Sequence, residues 1–251
     1  MQNNYGNYVP DNQVGLAQNG YQQYTGMDAY TVDMVFCIDA TGSMEATGAG
    51  QKKIINMVKE GAISFYDDLT RIMEAKDKHI RQLRIRIVAF RDYLADGDQA
   101  MLVTDFFMLP QQTEEFVACI NSINAGGGGD IPEDGLEALA YAIRSDWAQE
   151  GIKKRQVIVV WTDAPTHPLQ FGARARNYPA GMPRDLSELT DWWSEYMDDN
   201  YKRLVLFAPD EQHWSDISEN WSNVVHFPSK AGNGLAEQSY ATIMNALANS
   251  I

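Results

Sequence analysis

The sequence predicts a doubly wound, Rossmann-like α/β fold, with a mostly parallel sheet, helices on both faces and one antiparallel edge strand. Strand and helix patterns alternate from about residue 30 onward. Several strand patterns are near-continuous apolar runs, which is typical of parallel strands buried on both faces. The length of 251 residues suits one full-sized domain of this kind.

The first half of the chain supplies three of these elements. A short apolar run, YTVDMVFCID, predicts a buried strand that ends at Asp39. Apolar residues then recur at helical spacing from Ile54 to Ile72, which predicts a long helix. In LRIRIVAFRDY, apolar and charged residues alternate before the sequence becomes continuously apolar, and this pattern predicts a second strand. The turn signal in DGDQAMLVTDFF predicts a hairpin and therefore the antiparallel edge strand.

The second half continues the alternation. Two helices are predicted in QTEEFVACINSI and EDGLEALAYAIRSDWA, and a fully buried strand in RQVIVVWTDAP. A further helix is predicted in DLSELTDWWSEYMDD, strands in KRLVLFAP and SNVVHF, and a closing helix in GLAEQSYATIMNALANS.

The N-terminal segment differs in composition from the rest. Residues 1–27 are rich in Asn, Gln, Gly and Tyr, and Asp11 is their only charged residue. Such a segment has too little apolar content to build a core, so we predict a disordered tail there. The folded domain is predicted to span residues 28–251.

Composition limits the partners and the compartment. A formal net charge of −14 would repel a phosphate backbone, so we expect no nucleic-acid partner. No apolar run approaches the roughly 20 residues of a membrane span, and the N-terminus has no secretory pattern. Cys37 and Cys119 lie in apolar patterns and are expected to be buried free thiols. These features predict a cytoplasmic protein.

Carboxylates follow three apolar or glycine-rich segments at positions where strands end. They are Asp39, Asp130 and Asp163, and they are predicted to converge at the carboxyl edge of the sheet. Three crowded carboxylates repel one another unless a proton or a cation lies between them. Thr41 and Ser43 add neutral oxygens beside Asp39. Such hard oxygen ligands suit Mg²⁺, with Mn²⁺ or Ca²⁺ as alternatives.

Purely structural explanations stay open for each of these residues. Asp39 and Asp163 fit turns after a strand, and Thr41 and Ser43 fit helix caps. Asp130 opens the segment DIPE, where it could be the N-cap of a helix with Glu133 as its capping-box partner.

One further candidate in this region, His167, fits a loop hydrogen-bonder better than a metal ligand.

These motifs resemble a known family. DATGSM resembles the D-x-[S/T]-x-S opening of the von Willebrand factor A (vWA) domain, which holds a metal-ion-dependent adhesion site (MIDAS). GGGGDIPEDG and VVWTDAPTH resemble the second and third loops of its bacterial and kinase-associated branch. The resemblance covers about residues 30–250. It implies the vWA fold and a divalent metal, usually magnesium, whose coordination is completed by a carboxylate of a protein partner.

The resemblance also implies a role for each site residue. Asp39, Thr41 and Ser43 match the first-loop ligands, and Asp163 matches the third-loop acid. In the second loop, Asp130 stands where the better-known pattern has threonine. An extra carboxylate would lower the net charge of the site and weaken its attraction for an acidic partner.

The function predicted on these grounds is a metal-dependent protein-binding module rather than an enzyme. No Ser-His-Asp or Cys-His arrangement is indicated, and the glycine run lacks the phosphate-binding G-x-x-x-x-G-K-[S/T]. The resemblance implies a signalling or stress-response complex inside the cell. A Mg²⁺-dependent phosphotransferase or phosphatase is the alternative, although its signature needs a second Asp where this chain has Thr41. A metal-free scaffold is the third interpretation.

Overall fold

The core of the computed structural model is one seven-stranded sheet. The structure describes residues 29–48, 51–229 and 245. The strands are β1 (Tyr30–Asp39), β2 (Ile80–Phe90), β3 (Met101–Val103), β4 (Phe107–Leu109), β5 (Lys153–Trp161), β6 (Lys202–Pro209) and β7 (Val224–Ser229). Their order is β3-β2-β1-β5-β6-β7, with β4 also paired to β2, and all pairs except those of β3 and β4 are parallel. The predicted α/β fold class is confirmed.

Six α-helices accompany the sheet in the described part of the chain. They are α1 (Ile54–Ala75), α2 (Tyr93–Asp96), α3 (Thr113–Ser122), α4 (Gly135–Ile143), α5 (Leu186–Glu195) and α6 (Trp214–Asn220). The sequence prediction missed α2 and α6. The predicted N-terminal tail lies outside the described residues, and so does the predicted closing helix except for residue 245. Within the described ranges, no helix combines the length and apolar character needed to cross a bilayer.

The central strand β1 is buried on both faces, as its continuous apolar sequence predicts. Met34 and Phe36 contribute to the core on one face, which includes residues of α1 and α3. Val35 and Cys37 contribute to the core on the other face, which includes residues of α4, α5 and α6. Because side chains alternate along a strand, β1 packs against a separate apolar layer on each face of the sheet.

The antiparallel edge differs from the single strand that was predicted. It consists of two three-residue strands, β3 and β4, which pair with opposite ends of β2. Between them Thr104 exchanges two hydrogen bonds with Ile87: its N–H donates to the Ile87 carbonyl at 3.0 Å, and its Oγ1 accepts from the Ile87 N–H at 3.0 Å. Because a side chain takes the place of a ladder partner there, the edge is interrupted and the chain divides into two short strands.

The strand order puts the topological switch point of the sheet between β1 and β5. From β1 the chain builds outward to β2 on one side, and from β5 it builds outward to β6 and β7 on the other. The carboxyl ends of β1 and β5 are thus neighbours at the point where the connections change direction. Doubly wound sheets bind ligands at such a switch point.

Candidate metal centre

The loop after β1 brings three of the predicted residues together. Asp39 is the last residue of β1 and is fully buried. Its Oδ1 accepts hydrogen bonds from the Thr41 N–H at 2.8 Å and from the Thr41 hydroxyl at 2.6 Å. A 3₁₀ turn over Gly42–Glu45 then places the Ser43 Oγ 3.1 Å from the Thr41 Oγ1. The three oxygen-bearing side chains of the D-x-T-x-S segment therefore face one another.

The loop after β5 completes this arrangement. Asp163 follows the end of β5 by two residues and is buried. Its Oδ1 accepts a hydrogen bond from the Ser43 hydroxyl at 2.8 Å. The Thr162 hydroxyl donates to the second carboxylate oxygen of Asp39 at 2.6 Å. Asp39, Thr41, Ser43 and Asp163 thus form a continuous chain of side-chain oxygens across the switch point, which we call the oxygen chain.

The glycine run between α3 and α4 is bound to the same edge by its backbone. The Gly126 N–H donates to the Ala40 carbonyl at 3.0 Å, and the Gly42 N–H donates to the Gly127 carbonyl at 3.1 Å. At Gly127, where φ is +74°, a Cβ would lie 1.8 Å from Asp96 Oδ1. The close approach of this loop therefore requires glycine.

Glu133 also lies at this site, although the sequence interpretation gave it only a role in helix capping. It is buried, and its Oε1 lies 2.8 Å from the position of a Cβ on Gly128, while the Thr41 Cβ lies 3.4 Å from that position. The backbone at Glu133 forms a bridge with Thr166 instead of starting a helix. The carboxyl group is therefore held near the first loop. The sequence signal that could have indicated this role is the position of Glu133 as a second acid within the glycine-rich loop.

Asp130 lines the same cavity as Ser43 and Asp163. In the described part of the chain no hydrogen bond joins it to the oxygen chain, and 61% of its side chain is exposed. Its Oδ1 lies 3.6 Å from His167 Nε2. The N-cap interpretation of Asp130 is wrong, since α4 begins at Gly135 and Asp134 precedes it. DIPE mimics a helix start, but the backbone of its glutamate forms a bridge with Thr166 in the third loop instead.

The cavity over these loops has a volume of about 400 Å³. No lysine or arginine is among the described residues that line it. The lining consists of glycines, small apolar residues and oxygen-bearing side chains: Gly42, Ser43, Gly127, Gly128, Gly129, Asp130, Ile131, Glu133, Asp163, Ala164 and Pro165. A small cation with oxygen ligands suits such a lining better than an anion does.

Burial and mutual repulsion raise the pKa of several carboxyl groups in this region. The pKa of Asp39 rises to about 6, mainly because the group is buried, with a smaller contribution from the charge of Asp163. Burial also raises the pKa of Asp163. The pKa of Glu133 rises to about 9, through burial first and then through the charges of Asp39 and Asp92. Without a cation, these groups are costly to ionise.

Among the residues that line the cavity, two buried carboxylate oxygens lack a hydrogen-bond partner in the described part of the chain. They are Asp163 Oδ2 and Glu133 Oε2. Buried polar atoms normally have a partner, so these oxygens are free to take part in binding a ligand. Together with the hydroxyls of Thr41 and Ser43 they form a donor set of hard oxygens, which fits Mg²⁺, Mn²⁺ or Ca²⁺.

Comparisons with known proteins agree with the fold. No protein-family model matches the chain. One curated relative, the alpha-protein kinase vwkA of Dictyostelium discoideum, is 25% identical over 227 residues, which are 86% of this chain and 33% of the kinase. The chain thus spans about a third of the length of that relative.

Solved structures share the architecture at low sequence identity. The minor pilin PilB from Streptococcus sanguinis has a TM-score of 0.51 at 14% identity, over 90% of this chain and 62% of the pilin chain. The pilus adhesin SpaC from Lactobacillus rhamnosus GG has a TM-score of 0.54 at 13% identity, over 92% of this chain and 31% of the adhesin. At such identities the likeness concerns the fold alone.

Proposed function

We propose that this chain is a protein-binding module of the vWA type whose site requires a divalent cation, Mg²⁺ in the first place and Mn²⁺ or Ca²⁺ as substitutes. The observation that carries the proposal is the oxygen chain at the switch point. Thr41 and Ser43 offer the neutral ligands, and Asp39 and Asp163 offer the negative charge. The metal would supply an electropositive centre for a carboxylate of a partner protein, and the open cavity leaves room for it.

The second loop changes one residue in the proposed set of metal ligands. Glu133 lies beside the first loop, since a Cβ on Gly128 would be 2.8 Å from Glu133 Oε1 and 3.4 Å from Thr41 Cβ. We therefore assign the second-loop acid of the metal site to Glu133. A third carboxylate near the metal lowers its residual positive charge, so acidic partners bind more weakly than at a site with threonine in this loop.

Binding is proposed in preference to catalysis. In the phosphotransferase alternative Asp39 would be the nucleophile, but both of its carboxylate oxygens accept hydrogen bonds, from Thr41 and from Thr162. The curated relative is named a kinase, yet the matched segment is only 33% of it. The pilus adhesin with the same fold is compatible with a binding role. Turnover of a phosphate ester that is abolished by Asp39→Asn would contradict this choice.

The cellular setting is part of the same proposal. We place the module in a cytoplasmic signalling or stress-response complex, with no nucleic acid or membrane as partner. Cys37 and Cys119 are both free thiols, which fits a reducing compartment. The charge of −14 disfavours polyanions.

Isothermal titration with Mg²⁺ and Mn²⁺ tests the metal requirement. The wild-type chain is expected to bind, and Asp39→Ala is expected to lose binding at this site because the buried charge and the acceptor of the Thr41 hydroxyl are removed together. Asp191→Ala is the matched control, since it removes an exposed aspartate on α5, away from the loops. Equal isotherms for wild type and Asp39→Ala would refute the proposal.

Affinity capture then tests the partner. Wild type and Asp39→Ala are compared with and without a chelator. Proteins bound through the metal are expected to be lost both from the variant and from the chelated sample. A partner that is retained in both samples binds elsewhere on the surface.

A further inference from the structure

We infer a second cation site in this protein, formed by Asp92, Asp130 and His167 and separate from the oxygen chain. One ligand atom of each of these residues lies within 4.8 Å of the other two. Two carboxylate oxygens and one imidazole nitrogen form the donor set. This inference does not depend on the proposed function, because none of the three residues belongs to the oxygen chain.

The three residues come from separate parts of the chain. Asp92 follows β2 by two residues, Asp130 lies in the glycine-rich loop, and His167 lies in the loop after β5. Asp92 is buried, and its Oδ2 is 3.0 Å from the position of a Cβ on Gly129. The carboxylate therefore approaches the loop segment that carries Asp130.

The imidazole of His167 gives evidence for a ligand that does not depend on the acidic residues. His167 is 97% buried, and its Nε2 has no hydrogen-bond partner among the described residues. This nitrogen faces Asp130 Oδ1 at 3.6 Å, which is too long for a hydrogen bond. A buried ring nitrogen without a partner is uncommon, and a cation between these two atoms would satisfy it.

The ring is also held in one orientation. It stacks on Phe171 with 3.8 Å between the ring centroids and an interplanar angle of 12°. The backbone N–H of His167 donates to the Glu133 carbonyl at 2.8 Å. A fixed ring directs its Nε2 lone pair at one point, which is what a metal ligand requires. Burial lowers the pKa of His167, so the neutral ring that can bind metal is favoured.

The donor set of the second site has a different ion preference from that of the oxygen chain, although Mn²⁺ suits both. Imidazole nitrogen suits first-row transition ions, whereas Mg²⁺ prefers oxygen ligands only. The ligand of the second site is therefore a divalent transition ion such as Mn²⁺ or Zn²⁺. The exposed carboxylate of Asp130 provides the entry from solvent, and three protein ligands leave coordination positions open.

Mn²⁺ loading of the full chain tests the inference by two readouts. Equilibrium dialysis gives the number of ions bound per chain, and pulsed electron paramagnetic resonance detects nitrogen coupled to Mn²⁺. We expect two ions in the wild type, one of them coupled to nitrogen. His167→Gln is expected to bind one ion with no nitrogen coupling. Asp39→Asn is expected to bind one ion and keep the coupling.

Control variants separate ligation from folding. His213→Gln is the matched histidine control, because His213 Nδ1 also lacks a hydrogen-bond partner among the described residues and lies 3.7 Å from a single carboxylate, Asp216. It is expected to keep both ions. If His167→Gln fails to fold, Asp130→Asn serves instead, since its side chain is exposed; we expect it to weaken the nitrogen-coupled site by about 10-fold or more.

The outcomes distinguish the two sites. One ion with nitrogen coupling that His167→Gln removes would support the second site and contradict the oxygen-chain site. One ion without nitrogen coupling would overturn the second site. Nitrogen coupling that persists in His167→Gln, or two bound ions without any coupling, would overturn it as well.

Discussion

At the scale of single residues, glycines determine how closely the loops can approach one another. Gly127 and Gly181 have nearly the same left-handed backbone, with φ of +74° and +77°. They differ in their surroundings, because a Cβ at Gly127 would meet Asp96 Oδ1 at 1.8 Å, whereas nothing lies within 4 Å of a Cβ at Gly181. Substituting each of these two glycines with alanine therefore separates the cost of backbone strain from the cost of a steric clash.

We predict that Gly127→Ala destabilises the protein more than Gly181→Ala does. Gly181→Ala should cost about 1–2 kcal/mol of unfolding free energy, which is the strain of a left-handed alanine. Gly127→Ala carries the same strain and must also displace Asp96, whose Oδ2 accepts from the Gly128 N–H at 2.9 Å. Chemical denaturation of both variants measures the difference. Equal losses would show that the loop does not pack against Asp96 as described.

The sequence predicted the residues of the oxygen chain because each of them follows a strand. The convergence of Asp39 and Asp163 follows from the topology of a parallel sheet. The same reasoning applied to β2 would have found Asp92, which the sequence interpretation left out. The orientation of Glu133 could not be found in this way, because it depends on a bridge to Thr166, 33 residues further along the chain.

At the scale of secondary-structure elements, α4 carries a buried acid into the core beside the loops. Glu137 is fully buried; its Oε1 accepts from the Tyr178 hydroxyl at 2.7 Å, and its Oε2 has no hydrogen-bond partner among the described residues. Burial raises the pKa of this carboxyl group above its ordinary value of 4.5. The ionised form is therefore less favourable in the folded protein than in the unfolded chain.

We predict that Glu137→Gln reduces the pH dependence of stability. The folded protein holds the Glu137 proton to a higher pH than the unfolded chain does, so the free energy of unfolding falls as pH rises from 4.5 through the raised pKa. Each unit of the raised pKa corresponds to about 1.4 kcal/mol. Denaturation series across this pH range should show a smaller loss in Glu137→Gln than in wild type, and Glu114→Gln, on the exposed side of α3, should behave as wild type. Identical slopes for Glu137→Gln and wild type would contradict the account.

Elements with a regular apolar pattern were predictable, and short ones set by side-chain contacts were not. β1 and β5 have long apolar runs and were found from the sequence. The edge beside β2 was predicted as one strand, since nothing local indicates that the Thr104 hydroxyl interrupts the ladder. Helix α6 is only seven residues long, and its Trp214 and Ile217 are too few to give a clear helical period.

At the scale of the whole molecule, the sheet brings loops that are distant in the sequence to one edge. The oxygen chain joins residues 120 positions apart through the hydrogen bond between Ser43 and Asp163. The second-loop backbone is attached to both neighbours, through Gly126 to Ala40 and through Glu133 to Pro165. A cation held at this edge would therefore tie together three loops whose carboxyl groups otherwise repel one another.

Anomalous diffraction from crystals grown with Mn²⁺ tests the central claim most directly. We predict an anomalous peak within bonding distance of the hydroxyl oxygens of Thr41 and Ser43, with Asp39 and Asp163 bound to the ion directly or through water. This peak is expected to be lost in crystals of Asp39→Ala. The absence of an anomalous peak at the oxygen chain of the wild-type protein, at Mn²⁺ concentrations that saturate binding in solution, would contradict the claim.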